Sequence, residues 1–129
     1  MKLQSIIVDD EPMARKGLAE DLSHIDFIDI TGIAESSFNA LEVITSKSPD
    51  LIFLDINMPA MDGWEFLGKY KELKNRLPHT PVIVMLSTST NPDDKLKARN
   101  IPEVSEFCSK PITPEIINSI VTKYFPDYV

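Results

Sequence analysis

The stretch Leu51-Ile52-Phe53-Leu54-Asp55 places four large apolar residues in a row and closes them with a carboxylate. An unbroken apolar run cannot be sorted onto one face of a pleated strand, so it predicts a strand buried on both faces. Pro49 before it and Pro59 after it hold the run to strand length. Asp55 therefore ends a strand covered on both sides, where a carboxylate kept only for structure is costly.

Runs of the same kind recur outward from it, at Leu3 to Val8, Phe27 to Ile33 and Val82 to Leu86, and more weakly at Val104 to Cys108. The segments between them have helical spacing. Ala14, Leu18, Leu22 and Ile25 share one face, as do Ser37, Leu41 and Ile44. Trp64, Leu67, Tyr70, Leu73 and Leu77 form a third stripe, and Ile116, Ile117, Ile120, Val121 and Tyr124 the last. Ten prolines against four glycines punctuate these units. Pro12, Pro92 and Pro114 fall at first helical positions behind Glu11, Asn91 and Thr113. Pro102 either shortens the fourth helix or bends the approach to the fifth strand. Five strand–helix units predict an α/β fold, a doubly wound five-stranded parallel sheet with five helices on both faces. In such a sheet ligands bind beyond the carboxyl ends of the strands.

Composition narrows the function. The chain has 129 residues and a formal net charge of −7, which suits one domain over 1–129 and argues against direct nucleic-acid binding. No apolar run approaches the ~18 residues of a membrane span, and no signal peptide is evident. The single cysteine, Cys108, fits a reducing, cytoplasmic setting.

The strand ends collect the reactive residues: Asp9, Asp10 and Glu11 after the first strand, Asp55 at the end of the third, Ser87 and Thr88 after the fourth, Lys110-Pro111 after the fifth. Carboxylates gathered at one edge repel one another, and a hard divalent ion such as Mg²⁺ relieves the repulsion through oxygen ligands. A carboxylate is also a competent nucleophile toward phosphorus. On this reading Asp55 is the phosphoacceptor, Asp10 a direct metal ligand and Asp9 a ligand acting partly through water. Asn57 contributes its backbone carbonyl, Ser87 its hydroxyl and Lys110 its ammonium. Thr88 competes with Ser87 for the hydroxyl role. The plainer reading, that Asp9, Asp10 and Glu11 cap a helix, stands beside the metal site.

The runs Ile6-Ile7-Val8-Asp9-Asp10-Glu11-Pro12 and Asp50 to Pro59, the Asp62-Gly63 turn, Leu86-Ser87 and Lys110-Pro111 together resemble a response-regulator receiver domain. The resemblance covers essentially the whole chain and implies a flavodoxin-like strand order 2-1-3-4-5. It implies Mg²⁺-dependent phosphoryl transfer to Asp55 from a sensor histidine kinase, a phosphotransfer protein or a small phosphodonor, in two-component phosphorelay signalling. The domain then catalyses only its own phosphorylation and dephosphorylation, and is no enzyme toward other substrates. The resemblance further implies that Phe107 is an aromatic switch partner of Ser87 and that the bond before Pro111 is cis. It also implies an output face formed by the fourth helix, fifth strand and fifth helix, serving a downstream protein, an output domain or a phosphorylation-dependent homodimer. The opening is similar to receivers joined to LytTR-type DNA-binding domains, whereas Ser87 to Pro92 is closer to stand-alone receivers. No output domain is expected within these residues, and no membrane contact. The chain departs from the pattern between Ala98 and Ser105, where the usual glycine is missing and Pro102 is present.

Two other functions compete. A Mg²⁺-dependent phosphohydrolase of the haloacid-dehalogenase type also forms an aspartyl phosphate, but it places a general-acid Asp two residues on, where this chain has Asn57. A pseudo-receiver acting only as an interaction module requires loss of site residues, and none is lost.

Overall fold

The computed structural model describes residues 2–56, 63–87, 92–110 and 112–128. Strands β1 (Leu3–Val8), β2 (Ile28–Ala34), β3 (Leu51–Asp55), β4 (Val82–Ser87) and β5 (Glu106–Ser109) form one sheet. Its order is β2-β1-β3-β4-β5 and every neighbouring pair is parallel. Helices α1 (Pro12–Ser23), α2 (Ser37–Lys47), α3 (Gly63–Leu73) and α4 (Pro92–Arg99) are the crossovers, and α5 (Pro114–Tyr124) follows the last strand. The doubly wound fold expected from the alternation is the fold observed.

Both faces of the sheet are covered, as the unbroken run at β3 requires: all five of its residues are buried. On one face Leu18 and Leu22 of α1 and Ile117, Ile120 and Val121 of α5 pack against Leu3, Ile7, Phe53 and Val84. On the other, Ala40 and Ile44 of α2, Phe66, Leu67 and Tyr70 of α3 and Ala98 of α4 pack against Ile6, Val8, Ile52, Leu54 and Met85. Trp64 is partly covered, whereas Phe66 and Tyr70 are fully buried. Asp50 ties the amino ends of the strands. Its carboxylate accepts from the Gln4 backbone N–H at 2.9 Å and faces His79 Nε2 at 3.1 Å.

Three strands, β2, β4 and β5, have boundaries that differ from expectation. β2 starts at Ile28 because the Ile28 N–H is spent on the Ile25 carbonyl in the turn, and the strand runs on to the buried Ala34. β4 extends one residue, so that Ser87 belongs to the ladder, whereas β3 ends on Asp55 as expected. β5 begins at Glu106 rather than Val104, because the Val104 N–H bonds the Ile101 carbonyl in the turn that follows α4 around Pro102. Both effects expected of Pro102 are thus seen, a short helix and a late strand. The third apolar stripe also stops early, α3 ending at Leu73 and giving way to a 3₁₀ turn before Leu77.

The β1–β2 ladder slips by one residue, pairing Ser5 with Ile30 but Ile6 with Gly32. Thr31 is the extra residue, and its hydroxyl donates to the Ser5 carbonyl at 3.3 Å. Past the bulge, a Cβ on Gly32 would lie 2.4 Å from Val43 Cγ1 of α2, nearer than real carbons approach. Gly68 of α3 has open space around its missing Cβ.

We expect Gly32→Ala to lower unfolding free energy by about 1–3 kcal/mol and Val43→Ala in the same chain to recover part of that loss, as measured by urea denaturation. Gly68→Ala should raise stability by about 0.5–1 kcal/mol. A further expectation concerns Tyr70, whose buried hydroxyl has no hydrogen-bond partner among the described residues. Burial, reinforced by the Glu103 charge, pushes that hydroxyl from 10.0 up to about 12. The folded state then holds a proton that the unfolded chain releases, so stability falls as pH rises through this interval. Tyr70→Phe should flatten the alkaline decline and leave stability at pH 7 unchanged or slightly higher. A decline as steep as wild type's would show that Tyr70 contributes nothing to it.

Candidate functional site

The carboxyl edge of the sheet is assembled by backbone contacts between strand ends. Asp9 follows β1, and its N–H donates to the Ala34 carbonyl of β2 at 3.0 Å. Ile56, next after Asp55, donates its N–H to the Leu86 carbonyl of β4 at 3.1 Å. The Lys110 N–H donates to the Ser87 carbonyl at 2.8 Å, and Ser87 pairs with Ser109 in the ladder. Residues far apart in sequence are thereby fixed on one rim.

The acidic run Asp9-Asp10-Glu11 divides into two roles. Glu11 is the N-cap of α1, with extended backbone and a carboxylate accepting from the Met13 and Ala14 N–H groups at 3.1 Å each. Pro12 stands in the first turn, where its missing N–H costs nothing. Helix capping is thus correct for Glu11 alone. Asp9 and Asp10 join Asp55 instead, and one ligand atom from each lies within 4.8 Å of the others. Asp9 and Asp55 are buried and Asp10 is partly exposed.

Lys110 is the counter-ion of this edge. Its Nζ lies 2.7 Å from Asp9 Oδ2 and 3.4 Å from Asp55 Oδ1. Burial by itself would lower the Lys110 ammonium, but the hydrogen bond to Asp9 and the charges of Asp55 and Asp9 outweigh it and raise it above the ordinary lysine range. Its contribution to stability therefore persists through neutral pH and is lost only as pH rises through the raised value. One ammonium does not balance three carboxylates. The donor set that remains, all carboxylate oxygen with one partly exposed member, fits a hard divalent cation that keeps some of its waters.

Other expected residues fall as follows. Ser87 is fully buried at the end of β4, where the strand register sets its neighbour Leu86 opposite Asp55. Phe107 is half-buried, pairs with Met85 in the ladder, and lines a 320 Å³ cleft with Ala98, Arg99 and Lys123. Cys108 is half-buried, and burial followed by the Glu106 charge raises its thiol. Asn57, Thr88 and Pro111 lie outside the described residues. Sequence reasoning missed Arg15, whose guanidinium donates to the Asp9 carbonyl at 2.8 Å and holds the first acidic residue in place. Its position in the first turn of α1, on the helix that begins at the acidic run, was the available signal. A 380 Å³ groove lined by Met13, Ala14, Gly17, Leu18, Lys110 and Ile112 opens beside Asp9, and Met13 is 73% exposed.

Among the described residues no helix is long and apolar enough to cross a membrane. The family model of the response regulator receiver domain matches residues 6–122. The chain is similar to the protein-glutamate methylesterase/protein-glutamine glutaminase of Desulfotalea psychrophila, 38% identical over 94 residues, covering 73% of this chain and 25% of that protein. It is 37% identical over 95 residues to the nitrate/nitrite response regulator protein NarL of Escherichia coli, covering 72% of this chain and 41% of that one. The chain thus spans well under two thirds of either relative. Among solved structures, the receiver domain of the putative response regulator NarL from Mycobacterium tuberculosis superposes with a TM-score of 0.81 at 27% identity, covering 95% of this chain and 96% of the other. A two-component response regulator from Cytophaga hutchinsonii shares the fold with a TM-score of 0.84 at 24% identity, over 98% and 99% of the two chains. The matched span takes in Asp9, Asp10, Asp55, Ser87 and Lys110, and the chain belongs to the response regulator receiver domains of two-component systems.

Proposed function

We propose that this receiver is switched by a phosphoryl group carried on Asp55. The observation that carries the reading is the placement of Asp55. It is buried at the end of β3, within 4.8 Å of two further carboxylates and 3.4 Å from the Lys110 ammonium. Asp9, Asp10 and Asp55 would hold Mg²⁺, with the Asn57 carbonyl as a further donor. That ion, when bound, neutralises charge on the transferring phosphoryl oxygens. Asp55 attacks phosphorus in line, so that its carboxylate O–P bond forms as the donor's bond to phosphorus breaks. Lys110 is already within reach of Asp55 and transfers its ammonium from Asp9 to a phosphoryl oxygen, where charge has accumulated. Ser87 donates its hydroxyl to another oxygen, and Phe107, half-buried on the adjacent strand β5, takes up the space vacated.

The phosphodonor has to bring its reactive atom to the rim beside Asp9 and Lys110. A sensor histidine kinase or phosphotransfer protein would therefore seat an apolar helix in the groove of Met13, Ala14 and Ile112, in the cytoplasm where its catalytic part resides. The signal leaves through α4, β5 and α5 toward a downstream protein, an output domain or a second copy. One receiver domain accounts for residues 1–129, and it turns over no substrate but its own aspartyl phosphate. A hydrolase of the aspartyl-phosphate type is disfavoured by Asn57, which cannot serve as general acid.

Incubation with Mg²⁺ and acetyl phosphate should give one phosphoryl adduct by intact-mass measurement, and Asp55→Asn should give none. An adduct that survives Asp55→Asn would overturn the assignment. Lys110→Met should slow adduct formation at least about tenfold, the scale for removing a preorganised charge from a transition state. In metal-free buffer Asp10→Asn should raise Tm by relieving repulsion, and it should abolish the further rise that Mg²⁺ gives wild type. Equal Mg²⁺-dependent rises in both proteins would exclude Asp10 as a ligand.

A further inference from the structure

α4 is an unusually polar helix, and Ala98 is its one buried residue among those described, with Leu96 left 55% exposed. Apolar burial alone gives it little hold on the sheet. Its other attachment is to α3. The Lys97 ammonium lies 4.5 Å from the centroid of the Trp64 ring, within the range of a cation–π contact. Trp64 stands in the first turn of α3, the next helix in the chain after Asp55. A second contact lies just beyond the carboxyl-terminal end of α4, past the turn that carries Lys97. Glu103, in the link to β5, has a side chain only 5% exposed, 3.9 Å from Lys71 Nζ of α3. Tyr70 of α3 is the neighbour on which the Glu103 charge acts. α3 thus meets the α4 segment with a ring at one end and a cation at the other. A carboxylate drawn into this position adds nothing to an apolar core, and its gain comes from the α3 charge beside it.

We propose that the Lys97–Trp64 stack, supported by Lys71–Glu103, is a latch that holds α4 against α3 in the resting receiver and is released when Asp55 is modified. The inference rests on the reading of Asp55 as phosphoacceptor and adds the pair of residues that sets how easily the receiver switches. Linkage makes the latch measurable from the other end. A contact made only in the resting state opposes occupation of Asp55 by as much as occupation weakens the contact. The energy of one partly exposed cation–π contact corresponds to about a two- to fivefold shift in the switching equilibrium.

Trp64 is the only tryptophan in the chain, so intrinsic fluorescence reports on the latch directly. The test is a beryllofluoride titration in Mg²⁺ of wild type, Lys97→Met and Lys97→Arg, followed by Trp64 emission, with fluorine NMR recording bound beryllofluoride independently. Lys97 is exposed, so neither substitution threatens the fold. Wild-type emission should change on saturation. Lys97→Met should begin at the changed emission, and its bound-beryllofluoride NMR signal should half-saturate at about two- to fivefold lower beryllofluoride than wild type's. Lys97→Arg keeps a cation over the ring and should titrate as wild type does. Half-saturation of Lys97→Met at the wild-type concentration, with bound beryllofluoride visible by NMR, would overturn the latch and leave the Asp55 reading intact. Absence of any bound signal in wild type would overturn both.

Discussion

Three carboxylates converge on the carboxyl edge of the sheet, Asp9, Asp10 and Asp55, with ligand atoms within 4.8 Å and a single ammonium among them. Everything else at this edge is arranged around that imbalance. The strand ends are pinned to one another by backbone hydrogen bonds from Asp9 to Ala34, Ile56 to Leu86 and Lys110 to Ser87. The repelling groups therefore cannot relax apart without breaking the ladders. A rigid sheet buried on both faces supplies that restraint, and a flexible loop could not. Lys110 relieves the repulsion only in part, which leaves the edge ready for a cation and for a group that brings oxygens of its own.

On the proposed reading, the same restraint is what would carry a local charge change to a distant surface. Ser87 ends β4 and Lys110 directly follows the adjacent β5, on which Phe107 lies three residues earlier at the sheet's edge. Movement of the Lys110 ammonium or the Ser87 hydroxyl therefore acts on β4 and β5 directly. α4, which follows β4, is polar and buries only Ala98 among its described residues, so contacts of modest strength make up a larger share of what holds it. The opposite face, where α1 and α5 bury Leu18, Leu22, Ile117 and Val121, is held by apolar packing and has no comparable freedom.

How much of this was legible in the sequence depended on the range over which each feature acts. Asp55 was legible because an apolar run ending on a carboxylate announces a buried charge from five consecutive residues. The parallel architecture followed from the alternation of such runs with helical stripes. The resting partner of Lys110 was not legible. The strand-end chemistry gives that lysine to the phosphoryl group, and only the assembled edge shows it 2.7 Å from Asp9. Neither was the division of Asp9-Asp10-Glu11, since all three are chemically alike and only the entry angle of α1 turns Glu11 away to cap the helix. The late start of β5 was foreshadowed by Pro102, but its position depended on whether Val104 bonded the turn or the sheet. The bulge at Thr31 and the contact of Lys97 with Trp64 join elements with no common periodicity, and nothing local encodes them.

The central claim is chemical and names one residue, so the most direct measurement identifies the acceptor by its own reactivity. Borohydride reduces an aspartyl phosphate to homoserine and leaves free carboxylates unchanged. After phosphorylation with acetyl phosphate in Mg²⁺, reduction and peptide sequencing by mass spectrometry, homoserine should appear at position 55. Homoserine at Asp9 or Asp10, or at no position in a sample that carries the phosphoryl adduct, would contradict the account.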